Sequence, residues 1–292
     1  MCSEGLYTDN RNLSVMIRGF VGSPNKEGRT AAIVREALLG AEEQGAEVEI
    51  VHLSDYQVSD CYDCNVEHKD GVDCGPDDDY RALSMMIDSA DAVVIGSPVY
   101  WSAITSNVRA MLTRKLRVEM GSGPNMGMPA LGIMVAGGSG NGLVEAMKPL
   151  YLLFEKLRWR PLNCFPVTRF NWDRALVFAN EAGRDLAAMS DRRRPIPEGQ
   201  IWTFYNDLRY RDYDRIDERR LLAELIVGSL PEIGKFASVA SEMRERQGQV
   251  ETLFQQHRKA EAVPLIDDII FRATEIWEVL SPSGRAYDEK GD

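Results

Sequence analysis

An apolar run at residues 13–20 (LSVMIRGF) empties into Gly22-Ser23-Pro24-Asn25-Lys26-Glu27-Gly28-Arg29-Thr30, and an amphipathic helical pattern starts at once. Few folds accept that order. A buried strand, a short polar loop and a helix N-terminus in direct succession make the first half of a strand–helix–strand unit. At the join, unpaired backbone N–H groups and the positive end of the helix dipole converge on one point, which suits an anion. The loop lacks G-x-G-x-x-G and G-x-x-x-x-G-K-[ST], so the dinucleotide and nucleoside-triphosphate fingerprints are both absent. Ser23 and Thr30 offer hydroxyls, Asn25 an amide and Arg29 a guanidinium, a set suited to a phosphate monoester. An ordinary strand-to-helix turn with a Ser/Thr cap has the same composition, and the loop alone leaves both readings open.

The alternation continues. Residues 30–44 carry Ile33, Val34, Ala37, Leu38 and Ala41 on one stripe, and Gly45 ends them. A second strand is expected over 46–53, then a long loop with Cys61, Cys64 and Cys74. Asp77 to Asp79 offer caps for a helix burying Tyr80, Leu83, Ile87 and Ala90. The continuous apolar run 91–96 (DAVVIG) reads as a central parallel strand. Helices are expected over 103–117, 143–157 and 172–190, and strands over 130–136 and 161–167. The expectation is a doubly wound α/β fold, a five-stranded parallel sheet in the order 2-1-3-4-5 with helices on both faces. Ligands of such sheets lie beyond the carboxyl ends of the strands. The loops 22–29, 97–102 and 137–141 all leave that edge and should converge there.

The charged, proline-broken segment 191–197 marks a boundary, dividing the chain into 1–190 and a helical extension, 191–292. An aromatic stretch, IWTFYNDLRYRDYD, opens the extension. Helices are expected near 217–227, after a Ser229/Glu232 capping box with Pro231 in the first turn, and after Pro264. The extension has few apolar residues for a core of its own. It is expected to pack on the sheet or on another subunit, and to roof the ligand with Trp202, Tyr205 or Tyr210.

The second loop, Gly96-Ser97-Pro98-Val99-Tyr100-Trp101-Ser102, places two adjacent aromatics at a strand end. They suit stacking on a flat heteroaromatic ring, or they simply cover the sheet edge. The third, Gly137-Gly138-Ser139-Gly140, permits close backbone approach. GSPNKEGRT, GSPVYW and AGGSGNG together resemble the NADPH-dependent FMN reductase family of flavodoxin-like proteins, over residues 13 to 190. The resemblance implies that Ser23, Asn25, Gly28, Arg29 and Thr30 hold the FMN phosphate. It implies that Pro98, Val99, Tyr100 and Trp101 line the isoalloxazine, and that Gly137, Gly138 and Ser139 meet its pyrimidine side. The usual loop has Arg at the position of Asn25 and Asn at that of Arg29, so the positive charge has moved within it. Cys61-x2-Cys64 with Cys74 resembles the ligand set of the iron–sulfur flavoprotein branch, but Glu67 stands where a third cysteine belongs. With His68 the three thiolates could hold zinc. The metal-free reading is favoured, and His52 and His257 read as structural. The Arg192–Arg194 run reads as a solvated segment or as a site for the NADPH 2′-phosphate.

The 292 residues carry a formal net charge of −11, which disfavours nucleic acid and anionic membranes as partners. No apolar run reaches the length of a membrane span, and the first residues show no secretory pattern, so a cytoplasmic protein is expected. The resemblance implies FMN as cofactor and NAD(P)H as co-substrate. Electrons would pass to a quinone, a flavin, an azo or nitro compound, or a pathway-specific acceptor, in a homodimer or homotetramer. An electron carrier of the iron–sulfur flavoprotein type and a non-redox flavin-binding protein are the alternatives.

Overall fold

The structure is a computed structural model that describes residues 15–62, 77–119, 123–190 and 193–280. The sheet comprises β1 (Met16–Val21), β2 (Glu47–His52), β3 (Ala92–Pro98), β4 (Pro129–Val135), β5 (Arg160–Pro161) and β6 (Phe165–Val167). All neighbours pair in parallel, in the order β2-β1-β3-β4, with β5 and β6 both on β4. β5 and β6 are one expected strand, interrupted. Between the pairs Ala130↔Pro161 and Ile133↔Phe165 this ribbon uses one residue more than β4 does, the signature of a bulge. Order 2-1-3-4-5 therefore holds.

Alternation along the strands builds two cores. Val93 and Ile95 of β3 face one side, where α2 (Tyr80–Asp88), α3 (Ser106–Glu119) and α4 (Leu143–Lys156) supply Ile87, Met111 and Phe154. Ala92 and Val94 face the other, against α1 (Arg29–Glu42) and α5 (Trp172–Ser190). α1 and α5 touch backbone to backbone. A Cβ on Gly183 would stand 1.8 Å from the Ala37 carbonyl oxygen, so only glycine fits there.

The extension is more ordered inside than its composition suggests. Its first part, with α6 (Ile201–Asn206), sends Ile201, Tyr205 and Leu208 into the sheet core. The rest, α7 (Arg215–Gly228), α8 (Ala237–Gln255) and α9 (Lys259–Leu280), closes on a third core that includes Ala223, Met243, Ile269 and Trp277. Three local expectations are corrected. The capping box forms at Asp214/Asp217, where Asp214 Oδ1 accepts from the amides of Ile216 and Asp217. Ser229 instead ends α7, its hydroxyl donating to the Ile226 carbonyl at 2.6 Å. α9 begins at Lys259 and runs through Pro264. The proline stands near the start, and Lys259 is fastened to Asp217 at 2.6 Å. Among the described residues, no helix is long and apolar enough to cross a membrane.

Candidate functional site

The three loops meet at the carboxyl edge of the sheet. The Gly22 amide donates to the Gly96 carbonyl at 2.8 Å, and Asn107 Nδ2 donates to the Gly22 carbonyl at 3.2 Å, tying the first loop to the second. A Cβ on Gly142 would lie 2.4 Å from Ser102 Oγ, so the third loop lies against the second.

The first loop is organised by its own side chains. Ser23 is buried and its Oγ accepts from the Asn25 amide at 3.2 Å. Asn25 Oδ1 accepts from the Glu27 amide at 3.0 Å. Gly28, the N-cap of α1, has no side chain with which to cap it. Thr30, in the first turn, is 1% exposed, and its Oγ1 is buried with no hydrogen-bond partner. Arg29 stands over the Trp172 ring of α5, 5.7 Å from its centroid. Lys26 pairs with Asp55 at 2.5 Å. His52, at the end of β2, is held below its ordinary pKa by burial and by the positive charges of Lys26 and Arg35.

The other helices that open near this edge differ from α1. The α2 amide of Tyr80 donates to Asp78 Oδ1 at 3.1 Å. In α3, the Val108 amide donates to Asn107 Oδ1 at 2.8 Å. α4 starts on Gly142, which has no side chain and a φ of 84°. Its cap comes from the tail: Glu218 of α7 accepts from the amides of Gly142, Val144 and Glu145 at 2.7, 3.0 and 3.3 Å.

The second loop differs from its expected form. Pro98 is buried as the last residue of β3, and Val99 is half-buried with its amide on the Val135 carbonyl at 2.8 Å. α3 starts at Ser106 rather than near Ala103 because Tyr100 and Ala103 exchange backbone hydrogen bonds of 3.0 and 3.1 Å. The two residues between them, Trp101 and Ser102, have φ of 50° and 61°. Positive φ at both central positions is the type I′ turn, which normally selects Asn and Gly. A tryptophan there is a strained choice, and its side chain stands fully in solvent beside the exposed Tyr100. The signal was present in the sequence only as the aromatic pair. Gly137, Gly138 and Ser139 form an exposed turn, closed by the Gly140 amide on the Gly137 carbonyl at 2.9 Å.

Not every expected residue comes here. Tyr205 is buried at the opposite edge, where its hydroxyl donates to the Trp159 carbonyl, so it cannot roof the loops. Burial pushes its phenol pKa up. Arg193 is also at the opposite edge, on the carbonyls of Pro124 and Ala90. Tyr210 lines a cleft of about 360 Å³ against Cys164, Phe178 and Leu225. The tail reaches the loops through α7 instead. Cys61 is half-buried, while Cys64, Glu67, His68 and Cys74 lie outside the described residues.

The chain is 33% identical over 103 residues to an iron–sulfur flavoprotein of Methanocaldococcus jannaschii, covering 35% of this chain and 53% of that one. It is 34% identical over 98 residues to an iron–sulfur flavoprotein of Archaeoglobus fulgidus, covering 34% and 44%. The chain thus spans about half the length of these curated relatives. A solved NAD(P)H:quinone oxidoreductase from Methanothermobacter marburgensis superposes with a TM-score of 0.47 at 16% identity, over 59% of this chain and 99% of that one. The model of the NADPH-dependent FMN reductases matches residues 15–167, over half of the chain and inclusive of all three loops, and the chain belongs to that family.

Proposed function

We propose that the carboxyl edge binds FMN and that the protein is a flavin-dependent oxidoreductase, taking electrons from a reduced nicotinamide and passing them to a small-molecule acceptor. The observation that carries the reading is the α1 N-terminus. It opens on a glycine N-cap and holds a buried, unpartnered Thr30 hydroxyl, and a phosphate is the anion that such a group can donate to. Ser23, Asn25, Gly28 and Arg29 complete that end. Pro98, Val99, Tyr100 and Trp101 would lie along the ring, and Gly137, Gly138 and Ser139 at its polar margin. When bound, FMN supplies the electron transfer, and the chain orients it. The exposed Trp101 on its strained turn offers an aromatic face to a second flat molecule, donor or acceptor. The same reading takes residues 1–190 as the FMN-binding unit, and 191–292 as an extension that covers the site or builds an oligomer.

Titration of the apoprotein with FMN, followed by quenching of flavin fluorescence, is expected to saturate at one FMN per chain. Oxidation of NADPH or NADH with added quinone should then depend on FMN. A protein that leaves flavin fluorescence unchanged overturns the proposal. The relatives support a second reading, an electron carrier of the iron–sulfur flavoprotein type using Cys61, Cys64 and Cys74. Iron and acid-labile sulfide in the isolated protein would favour it over the first.

A further inference from the structure

Glu218 is a carboxylate from the tail, 7% exposed, that caps a helix 76 residues away in sequence. The helix it caps opens directly after the third loop. Four residues on, Leu222 lies on the same face of α7, and a Cβ on Gly140 would stand 2.8 Å from Leu222 Cδ2. One turn of α7 therefore lies against Gly140, Gly142, Val144 and Glu145 together. α4 could not have capped itself, because Gly142 has no side chain and its left-handed φ disfavours a replacement. A hydrogen bond from an amide to a charged acceptor is stronger than a neutral one, and the dipole of α4 adds to it. α7 is itself fixed by the Asp214/Asp217 capping box and by Lys259 of α9. Both Glu218 and Leu222 lie beyond the residues 15–167 that the family model matches.

We infer that α7 is a brace for the third loop, with Glu218 as a positioning residue that fixes Gly137, Gly138 and Ser139 where the flavin's polar margin would lie. The flavin half of this inference rests on the FMN reading, whereas the loop half does not. The brace also gives the extension a role in the site that its aromatics do not fill.

The test uses the full chain with Glu218→Gln, Glu218→Ala and a control, Glu261→Gln, which removes an exposed tail ion pair with Arg258 that does not involve α7. Hydrogen exchange of the apoprotein reads amides 137–146. FMN affinity and the flavin's reduction potential are read on the same variants. Exchange in that segment is expected to quicken about tenfold or more in Glu218→Ala and less in Glu218→Gln, with FMN affinity falling about tenfold and the potential shifting. The control should match wild type in all three. Should Glu218→Ala fail to fold, Glu218→Gln carries the test alone. Unchanged exchange in the folded variants overturns the brace. Faster exchange with unchanged FMN affinity and potential overturns Glu218 as a flavin-positioning residue. A wild type that does not bind FMN removes the flavin reading, and the exchange result then decides the brace alone.

Discussion

The two ends of the sheet are built on opposite rules. At the amino edge charged and amide side chains from several elements are linked in one cluster. Lys115, 2% exposed, reaches Asp88 at 2.5 Å, Glu119 at 3.0 Å and Ser84 at 3.1 Å. Asn125 donates to the same Asp88 and Glu119 carboxylates, and Arg193 of the extension closes over Asn125 Oδ1 at 2.9 Å. At the carboxyl edge, α1 opens on Gly28, Thr30 Oγ1 is buried without a partner, and Trp101 sits in solvent on a strained turn. Both ends belong to the same strands, so fold alone does not explain the contrast. A buried polar group left unmatched lowers stability, and it is retained where a ligand supplies the match. On the FMN reading, the amino edge holds the fold together and the carboxyl edge binds.

The largest expected effect breaks the amino edge. Lys115→Met leaves the Glu119 and Asp88 carboxylates without their cation, and Glu119 is as deeply buried as the lysine. Loss of one partner of a buried pair costs about 3–5 kcal/mol, which urea unfolding would show as a lower midpoint. FMN affinity of the folded protein should stay within about twofold of wild type, well under the 1.4 kcal/mol of a tenfold change. If affinity falls in step with stability, the two edges are not independent.

A smaller change at the other edge should reverse the pattern. Thr30→Val keeps the shape and deletes the orphaned hydroxyl. FMN should bind about tenfold more weakly, the worth of one hydrogen bond to a charged acceptor. Stability of the apoprotein should hold or rise by up to about 1 kcal/mol, because a desolvated group without a partner is gone. Thr30→Ser, which retains the hydroxyl, should recover most of the affinity. A Thr30→Val protein that is less stable yet binds FMN normally would make the hydroxyl structural.

How much of this could be read from the residues follows the same division. The strands and the three loops were legible because a buried parallel strand is a continuous apolar run and each loop announces itself with glycine or proline at its end. Ser23, Gly28 and Thr30 could be placed together at one helix N-terminus because a strand–loop–helix unit is local in sequence. The brace was not. Glu218 looks like any charged residue on a surface helix, and the amides that need it are at Gly142 and beyond, far away in the chain. Arg193 likewise reads as part of a solvated run until the fold brings Ala90 and Pro124 beneath it. The Trp101 turn was hidden for another reason, since Trp-Ser is a poor sequence for positive φ and local preference argues against what the loop does. Pro264 misled because its usual place is a first turn, while here the fastening of Lys259 to Asp217 starts the helix earlier.

The smallest effect concerns protons at the carboxyl edge. His52 is partly buried there, its Nδ1 is enclosed without a partner, and burial together with Lys26 and Arg35 depresses its pKa. In the unfolded chain it titrates near the ordinary value of about 6.5. Between the folded pKa and that value the unfolded chain therefore binds more protons. The group's contribution to stability is fully present above about pH 6.5 and is lost as pH falls through the lower, folded pKa. The His52 contribution to apoprotein stability should accordingly be smaller at pH 5 than at pH 7.5. His52→Asn, which cannot take up a proton, should flatten that part of the profile. Lys26→Met would remove one of the two repelling charges, raise the His52 pKa toward its ordinary value and shrink the loss. Direct titration of the imidazole by NMR separates this from any carboxylate at the other end of the sheet. A His52 that titrates at its ordinary value would show that neither its burial nor the charges of Lys26 and Arg35 weigh on it.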